Sequence, residues 1–494
     1  VMGMAAGRGD GPDWDFGDPH CHLVRCRGVA PKKLPPTYDA PLGTAPLFGW
    51  AIADMAKNWR IHTATVHPPL SGVSIRHAHG ARWQNDNMSS TSTDDVLAPE
   101  QAEAFRLQVR EFLEQNASGI GRRSETSLMI GKKYQAALTE AGLAGLVYPK
   151  EYGGAGLTRI HDRIYREEYG KYPDMTFELT ISHGMCLPVL NQFGTEEHKR
   201  EFMPDLIAAR TMWCQMFSEP GAGSDVASLQ TRAELDGDEW VLNGQKVWTT
   251  LAHVSDYGVL IARTNPDAPK HAGISMFIVD MKAPGMEIRP IHQIDGGSHF
   301  NEVFFTDVRI PKSWLLGELN NGWNQATAML MYERVAIGTG SSSGVTHNLA
   351  DRLIDVAKNN GKLNDPLIRQ DLMKLYCEET VKSLVSMRTR AEMKAGKAPG
   401  PGGSLGKLHG AIIARFSRPL INRLVGADCD AWEGEGRGEN WARYILSSFQ
   451  SNIAGGTDEI QRNIIGDRVL GLPREPMVDK NMPFKDLKVG TQRQ

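Results

Sequence analysis

The spacing of apolar positions divides most of the chain into three stretches of different character. From Pro99 to about Leu206, apolar residues recur every three or four positions, as in PEQAEAFRLQVREFLEQN, where Phe105, Val109, Phe112 and Leu113 share one helical face. SLMIGKKYQAALTEAGLAGL and EEHKREFMPDLIAA continue the pattern between Gly-rich and Pro-containing turns, which predicts an all-helical first domain. From Trp213 to about Pro311 the pattern changes to short runs rich in Val, Ile, Phe and Thr, such as EWVLNGQKVWTT, YGVLIART, GISMFIVDM and NEVFFTDVRI. These predict a compact β domain, and the Asn-Gly pair in LNGQKV predicts a hairpin with a primed turn. After Gly322, long helical patterns return through NQATAMLMYERVAIG and DPLIRQDLMKLYCEETVKSLVSMRTRAEM, predicting a helical bundle.

Near its end that bundle is interrupted by SNIAGGTDEIQRNIIG. Trp441, Tyr444, Ile445 and Phe449 precede the interruption at helical spacing, and Ile460, Ile464, Ile465 and Val469 resume it, so Gly455 and Gly456 separate two helices. Two readings fit: a plain corner between helices, or a flat ligand lying against backbone that only glycine leaves bare. Asp458 and Glu459 suit the positive end of the second helix and argue against a phosphate there, which favours an aromatic or carbonyl-bearing guest.

Residues 1–87 have no sustained period and are rich in Gly, Pro and Arg. The stretch HCHLVRC matches no standard metal-ligand frame, and no apolar run fits a secretory signal. This part reads as a disordered leader or upstream extension, with Met88 as a natural beginning. The expected organisation is a multi-domain α+β chain: the leader over 1–87, an N-terminal helical domain over 88–212, a β-barrel-like middle domain over 213–312, a C-terminal helical bundle over 313–477 and a tail over 478–494.

A chain of 494 residues exceeds what one core usually fills, and its 41% hydrophobic and 23% charged residues fit a globular protein with two or three domains. No apolar run reaches the roughly 18 residues of a membrane span. A net charge of -3 argues against nucleic acid as the main partner. The six cysteines are scattered without C-x-x-C pairs, as expected of reduced thiols in a cytoplasmic protein, with no metal site.

Two stretches in the β region carry candidate chemistry. QMFSEPGAGSD contains Gly221, Gly223, Ser224 and Asp225, a loop whose amides suit a diphosphate or the polar edge of a heterocycle, or which is a plain turn. In GQKVWTT, Trp248 suits either the core or one face of a planar ring, with the hydroxyls of Thr249 and Thr250 within reach of its heteroatoms.

The order of a helical domain, FSEPGAGSD, NGQKVWTT and a helical domain ending GGTDEIQRNIIGDRVLGLPRE resembles the acyl-CoA dehydrogenase family over nearly all of residues 96–477. The resemblance implies bound FAD, an acyl-CoA substrate and α,β-desaturation to the trans-2-enoyl-CoA, a step of β-oxidation type. It implies that Gln215, Phe217, Ser218 and Gly223 line the flavin, that Ser224 faces cofactor or substrate, and that Trp248, Thr249 and Thr250 pack on the isoalloxazine. Thr457 and Glu459 match flavin-contacting positions, and Ser224, Arg334, Gly455 and Gly456 match the substrate side.

The reaction needs a carboxylate to remove the α-proton while the β-hydride leaves for the flavin on the opposite side of the bond. Many members of the family carry that glutamate directly before Gly-Thr in the loop, where this chain has Gly455. A second branch, which includes isovaleryl-CoA dehydrogenase, carries it on an earlier helix before an arginine. LMYERVAIG matches that placement with Glu333 and Arg334, so Glu333 is the expected base. The alternative reading is a surface Glu-Arg pair, against which the apolar Met329, Leu330, Met331, Val335, Ala336 and Ile337 count.

Two family features are absent: an R-x-x-F-G stretch, where this chain has AKNNGKLNDPLIRQ, and a Q-x-x-G-G-x-G loop, replaced around NRLVGADCDAWEGEGRGEN. The departures resemble bacterial heterotetramer-type members, so a homo- or hetero-oligomer (dimer or tetramer) is expected, with electron-transferring flavoprotein as acceptor. The rival readings are a non-catalytic partner subunit, a DNA-associated flavoprotein of the same fold, and an acyl-CoA oxidase. The small residues Ala454, Gly455 and Gly456 point to room for a branched or bulky acyl group.

Overall fold

The computed structural model describes residues 97–117, 127–338, 348–394, 402–429, 437–477 and 479–488. The expectation for 1–87 lies outside them.

The first helices are α1 (Pro99–Ala117), α2 (Ser127–Glu140), α3 (Arg159–Tyr169), α4 (Leu187–Phe193) and α5 (Glu196–Ile207). The predicted stripe of α1 is the buried one: Phe105, Val109, Phe112 and Leu113 all face the core. A single π-turn, Ser182–Cys186, leads into α4. The Ser182 hydroxyl donates to the Trp213 carbonyl and accepts from the Trp213 amide, both at 2.9 Å, so this widened turn is stitched to the first strand.

Seven strands form one mixed sheet: β1 (Trp213–Met216), β2 (Arg232–Asp236), β3 (Glu239–Thr250), β4 (Tyr257–Arg263), β5 (Ile274–Asp280), β6 (Met286–Ile291) and β7 (Phe300–Pro311). The order is β1-β4-β2-β3-β7-β6, with β5 pairing the other edge of β4. Alternation along β4 and β5 assigns each face its own core. Val259, Ile261, Met276 and Ile278 pack toward the helices, with Phe202 and Met329. Leu260, Ala262, Phe277 and Val279 pack inside the curled sheet against Leu242, Val303, Phe305 and Val308. That inner core makes the middle domain barrel-like.

The predicted hairpin turn is displaced. Asn243 and Gly244 lie within the continuous strand β3, where the pairing with β7 shifts register between Leu242 and Gly244. Gly244 has φ +147°, and a Cβ there would meet Thr231 at 2.5 Å, while the Asn243 side chain exchanges hydrogen bonds with Asp307. The pair makes a β-bulge instead of a turn. The β2–β3 hairpin turns at Gly237-Asp238, with Gly237 at φ +61°, the arrangement of a glycine-led two-residue turn.

The C-terminal helices are α6 (Gly322–Gly338), α7 (Asn348–Asn359), α8 (Pro366–Lys394), α9 (Gly402–Val425), α10 (Arg437–Ser448) and α11 (Asp458–Arg468). Leu353, Leu372, Leu375, Leu420, Leu424 and Trp441 fill their shared core. The start of α6 lies directly on β5, because a Cβ on Gly322 would meet the Ser275 backbone at 2.6 Å. Beyond α11 the tail returns to the middle domain: the Phe484 amide donates to the Ala268 carbonyl at 2.9 Å, and the Arg263 guanidinium lies 3.6 Å from the Phe484 ring centroid. Among the described residues, no helix is long and apolar enough to cross a membrane and no cluster is suited to a metal ion.

Candidate active site

The loop after β1 is tied down by a buried ion pair. Lys246 on β3 is fully buried and donates to the Phe217 carbonyl at 3.0 Å and to Glu219 Oε1 at 2.8 Å. Burial pushes the Lys246 ammonium down, against the attraction of Glu219. Burial by itself would raise Glu219, but Lys246 and the Gln230 and Thr231 amides hold its carboxyl below the ordinary range. The Val247 amide donates to the Ser218 carbonyl at 2.9 Å, and the backbones of Glu219 and Ala222 pair with each other. Lys270 binds Asp225 at 2.8 Å and 2.9 Å.

The bonds from Lys246 and Val247 set Phe217 and Ser218 beside β3, the strand that ends in Trp248, Thr249 and Thr250, with Gly223 and Ser224 further along the same loop. Gly223 has no atom within 4 Å of where its Cβ would stand, and Ser224 is exposed. Between Lys246 and Thr249 the β3–β7 register shifts again, and Trp248 there has φ +61°, a left-handed conformation that costs a bulky residue about 1–3 kcal/mol. The strain turns the indole outward, 57% exposed and perpendicular to Phe300. Thr249, by contrast, is buried, and its hydroxyl has no hydrogen-bond partner among the described residues. Its carbonyl accepts from Asn301 Nδ2 at 2.9 Å, and Asn301 Oδ1 is likewise unpartnered. An exposed indole beside two buried oxygens that lack partners among the described residues fits a planar heterocycle with polar edge atoms such as the isoalloxazine of FAD.

The second group lies among the helices. Glu333 is half-buried on α6, which packs on the π-turn, on α4, on β5 and on α9. Beside it, Tyr332 donates to Gln192 Oε1 on α4 at 2.9 Å, and Met329 is fully buried. Arg334 follows on the helix, with its side chain outside the described set. Gly455 and Gly456 adopt φ +67° and +90°, and a Cβ on Gly456 would meet Gln461 Nε2 at 2.6 Å. Part of the room these glycines create is therefore filled by the chain itself, since Gln461 turns back to the Gly455 carbonyl at 2.7 Å.

Thr457 caps α11, its hydroxyl accepting from the Ile460 amide, and Glu459 is exposed. The described hydrogen bonds of this loop run within the C-terminal helices and none reaches the Trp248 rim. Asp458 is buried, with Oδ2 held by Arg415 at 2.6 Å and Asn452 at 3.0 Å. Lys407 on α9 stands 3.8 Å from Asp458 Oδ1. Sequence reasoning passed over Lys407, although Ser404, Lys407, Ala411 and Ala414 fall on one helical face, all of them buried.

Models of the acyl-CoA dehydrogenase N-terminal, middle and C-terminal domains match residues 99–210, 214–308 and 320–470. Acyl-CoA dehydrogenase IpdE1 of Mycobacterium tuberculosis is 38% identical over 387 residues, covering 76% of this chain and 98% of the relative. Two solved structures agree: the Tcur3481-Tcur3483 steroid acyl-CoA dehydrogenase (27% identity, TM-score 0.64, 77% of this chain and 100% of that one) and the ChsE4-ChsE5 complex of M. tuberculosis (29%, 0.62, 77% and 100%). With all three domain models in order along one sheet and two sets of helices, the chain belongs to the acyl-CoA dehydrogenase family of oxidoreductases.

Proposed function

We propose that the chain is an FAD-dependent acyl-CoA dehydrogenase that desaturates a bulky acyl-CoA thioester between its α and β carbons, with Glu333 as the base. One observation carries this reading: Gly455 leaves no acid directly before Gly456-Thr457, while Glu333 stands half-buried on α6, the helix that packs on α9, which in turn packs on α11. A carboxylate so placed reaches the substrate side without depending on the loop. The rim residues supply the cofactor's seat: Trp248 offers an aromatic face, Thr249 Oγ1 a hydrogen bond to a ring heteroatom, and the Gly223–Ser224 backbone a close approach for the diphosphate. Bound FAD supplies the acceptor for the β-hydride. Glu333 takes the α-proton and holds it at its carboxylate, and backbone donors near Gly456 polarise the thioester carbonyl.

A ring-bearing or branched acyl group is the favoured substrate class. Ala454, Gly455 and Gly456 present little side-chain bulk beside the reacting carbons, and one related structure is of a steroid acyl-CoA dehydrogenase. Leu384 on α8 and Phe449, Ile453 and Leu470 around the final helices are exposed, which supports assembly through the C-terminal helices with a second copy or a homologous subunit. Electron-transferring flavoprotein is the proposed acceptor, in the cytoplasm.

The test is anaerobic titration of the flavin-loaded protein with straight-chain, branched and steroid-ring acyl-CoAs. Bleaching of the flavin absorbance by the ring-bearing class in wild type, and its loss in Glu333→Gln, is the expected result. A colourless protein that gains activity only with a homologous chain would replace this reading with that of a partner subunit.

A further inference from the structure

The tail lies past residue 470, where the match to the family's C-terminal domain ends, yet it is seated firmly on the middle domain. The Phe484 and Lys485 amides donate to the Ala268 and Pro266 carbonyls at 2.9 Å and 3.0 Å, Lys485 pairs with Asp267 at 2.7 Å, and Phe484 and Leu487 are buried. The Phe484 ring covers Arg263, the last residue of β4, at 3.6 Å, and Arg263 is itself 4% exposed. The hydrogen bonds of this guanidinium run to carbonyls. Nη1 donates to Lys270 at 2.6 Å and Nη2 to Ala227 at 2.6 Å and Leu229 at 3.5 Å, while Nε has no partner among the described residues. Burial pushes the guanidinium down to about 10, against the attraction of Glu219. Carbonyl dipoles and the face of Phe484 are what offset the desolvation of this cation.

Ala227 lies in the 3-10 turn Val226–Ser228 and Leu229 follows it, directly after the run Gly223-Ser224-Asp225. That run is held at both ends. Before it, Glu219 is fixed by Lys246 and accepts from the Gln230 and Thr231 amides. After it, Arg263 holds the turn, and Lys270, whose carbonyl Arg263 also binds, reaches Asp225 at 2.8 Å and 2.9 Å. The 265–270 loop carries both sets of contacts, since the tail binds its Pro266 and Ala268 carbonyls.

We propose that Phe484 is a positioning residue for the cofactor loop: by covering Arg263 it keeps the guanidinium on the Ala227 and Leu229 carbonyls, and so fixes the segment that follows Ser224. Its meaning for the reaction rests on the reading of Gly223 and Ser224 as the seat of the FAD diphosphate. Without the ring, water reaches the guanidinium and competes with the carbonyls for its donors, which loosens the turn. The Lys485–Asp267 pair does not replace this contact, because both side chains are more than half exposed.

The experiment is hydrogen exchange, read by mass spectrometry over residues 223–231 in the full chain saturated with FAD, together with FAD release on dilution of the same protein. The Ser228 and Leu229 amides, which close the turn onto Asp225 and Val226, are the reporters. Phe484→Ala is expected to speed their exchange about tenfold and to weaken FAD binding about fivefold, while β3 and β7 keep their wild-type exchange. Lys485→Ala is expected to change neither. In an Arg263→Met background, Phe484→Ala is expected to add nothing, because the contact it removes is already absent. Additive effects of the two substitutions would overturn the proposal, as would wild-type exchange of the turn in a Phe484→Ala protein whose tail, residues 479–488, exchanges freely. Should Phe484→Ala fail to fold, Phe484→Leu, which keeps apolar bulk and removes the aromatic face, decides in its place by the same readouts. Faster exchange of the turn with unchanged FAD affinity would overturn the seat assigned to Gly223 and Ser224 and leave the hold of the tail on the turn intact.

Discussion

The sheet rim and the helical site satisfy their polar groups by different means. At the rim, Lys246 and Glu219 neutralise each other at 2.8 Å and spend their remaining capacity on the Phe217 carbonyl and the Gln230 and Thr231 amides. Among the described residues at the end of β3, the side-chain oxygens of Thr249 and Asn301 are left without a partner. Among the helices, an ammonium and a carboxylate oxygen stand 3.8 Å apart, neither hydrogen-bonded among the described residues. A region with closed charges and open neutral acceptors suits a tightly held planar cofactor, whereas one with an open charge suits a step in which a proton moves. On the proposed function, rigidity and reactivity fall on different domains.

The largest expected effect separates the two regions functionally. Glu333→Gln should slow flavin reduction by acyl-CoA by a factor of about 10²–10⁴, the usual contribution of a general base, while flavin content stays at the wild-type level. Stopped-flow absorbance checks the first and the visible spectrum the second. Loss of flavin from this variant would show that the helical site also holds the cofactor and would break the comparison.

Next comes the rim itself. Lys246→Met leaves Glu219 buried with only amides for partners and should cost about 3–5 kcal/mol of stability, measured by denaturant unfolding. The double variant Glu219→Gln with Lys246→Met should recover part of that loss, because no unpaired charge remains. An equal loss in single and double variants would mean that the pair matters for packing and not for charge.

Gly456→Ala should follow at about 1–3 kcal/mol, since φ +90° is strained for alanine and the new methyl would displace Gln461. Thermal unfolding checks this. A neutral result would point to a loop that relaxes freely, contrary to its closure by the Gln461 hydrogen bond to Gly455.

Periodicity revealed the elements because each buries one consistent face: the α1 stripe at Phe105, Val109, Phe112 and Leu113 is read directly as core. The strands around Val259 and Ile278 were legible from their β-branched runs, but not the fact that their two faces serve separate cores. Asn243-Gly244 misled because a bulge and a primed turn ask for the same residues, and only the β7 partner distinguishes them. The rim motifs were visible as glycines and Trp-Thr-Thr. Lys246 and Lys407 were not, because a lysine's place in a stripe reveals burial only when the carboxylates that face it, Glu219 and Asp458, are known from the fold. The tail's return through Phe484 to Arg263 had no periodic signature at all.

The smallest effect discriminates most finely. Thr249→Val removes a buried hydroxyl that has no partner among the described residues while keeping the side-chain shape. Without cofactor the variant should be as stable as wild type or slightly more so, because an unsatisfied buried oxygen has been deleted. With cofactor it should lose the hydrogen bond proposed for Thr249 Oγ1, weakening FAD binding by about 0.5–1.5 kcal/mol, or roughly two- to twelvefold. Unfolding of the apoprotein and fluorescence titration with FAD measure the two halves separately. A loss of apoprotein stability would mean that the hydroxyl serves the fold; unchanged FAD affinity would mean that the rim is closed by something other than the flavin edge. Opposite signs in the two measurements would mark Thr249 as a residue whose polar atom is kept for a ligand, at no benefit to the fold that buries it.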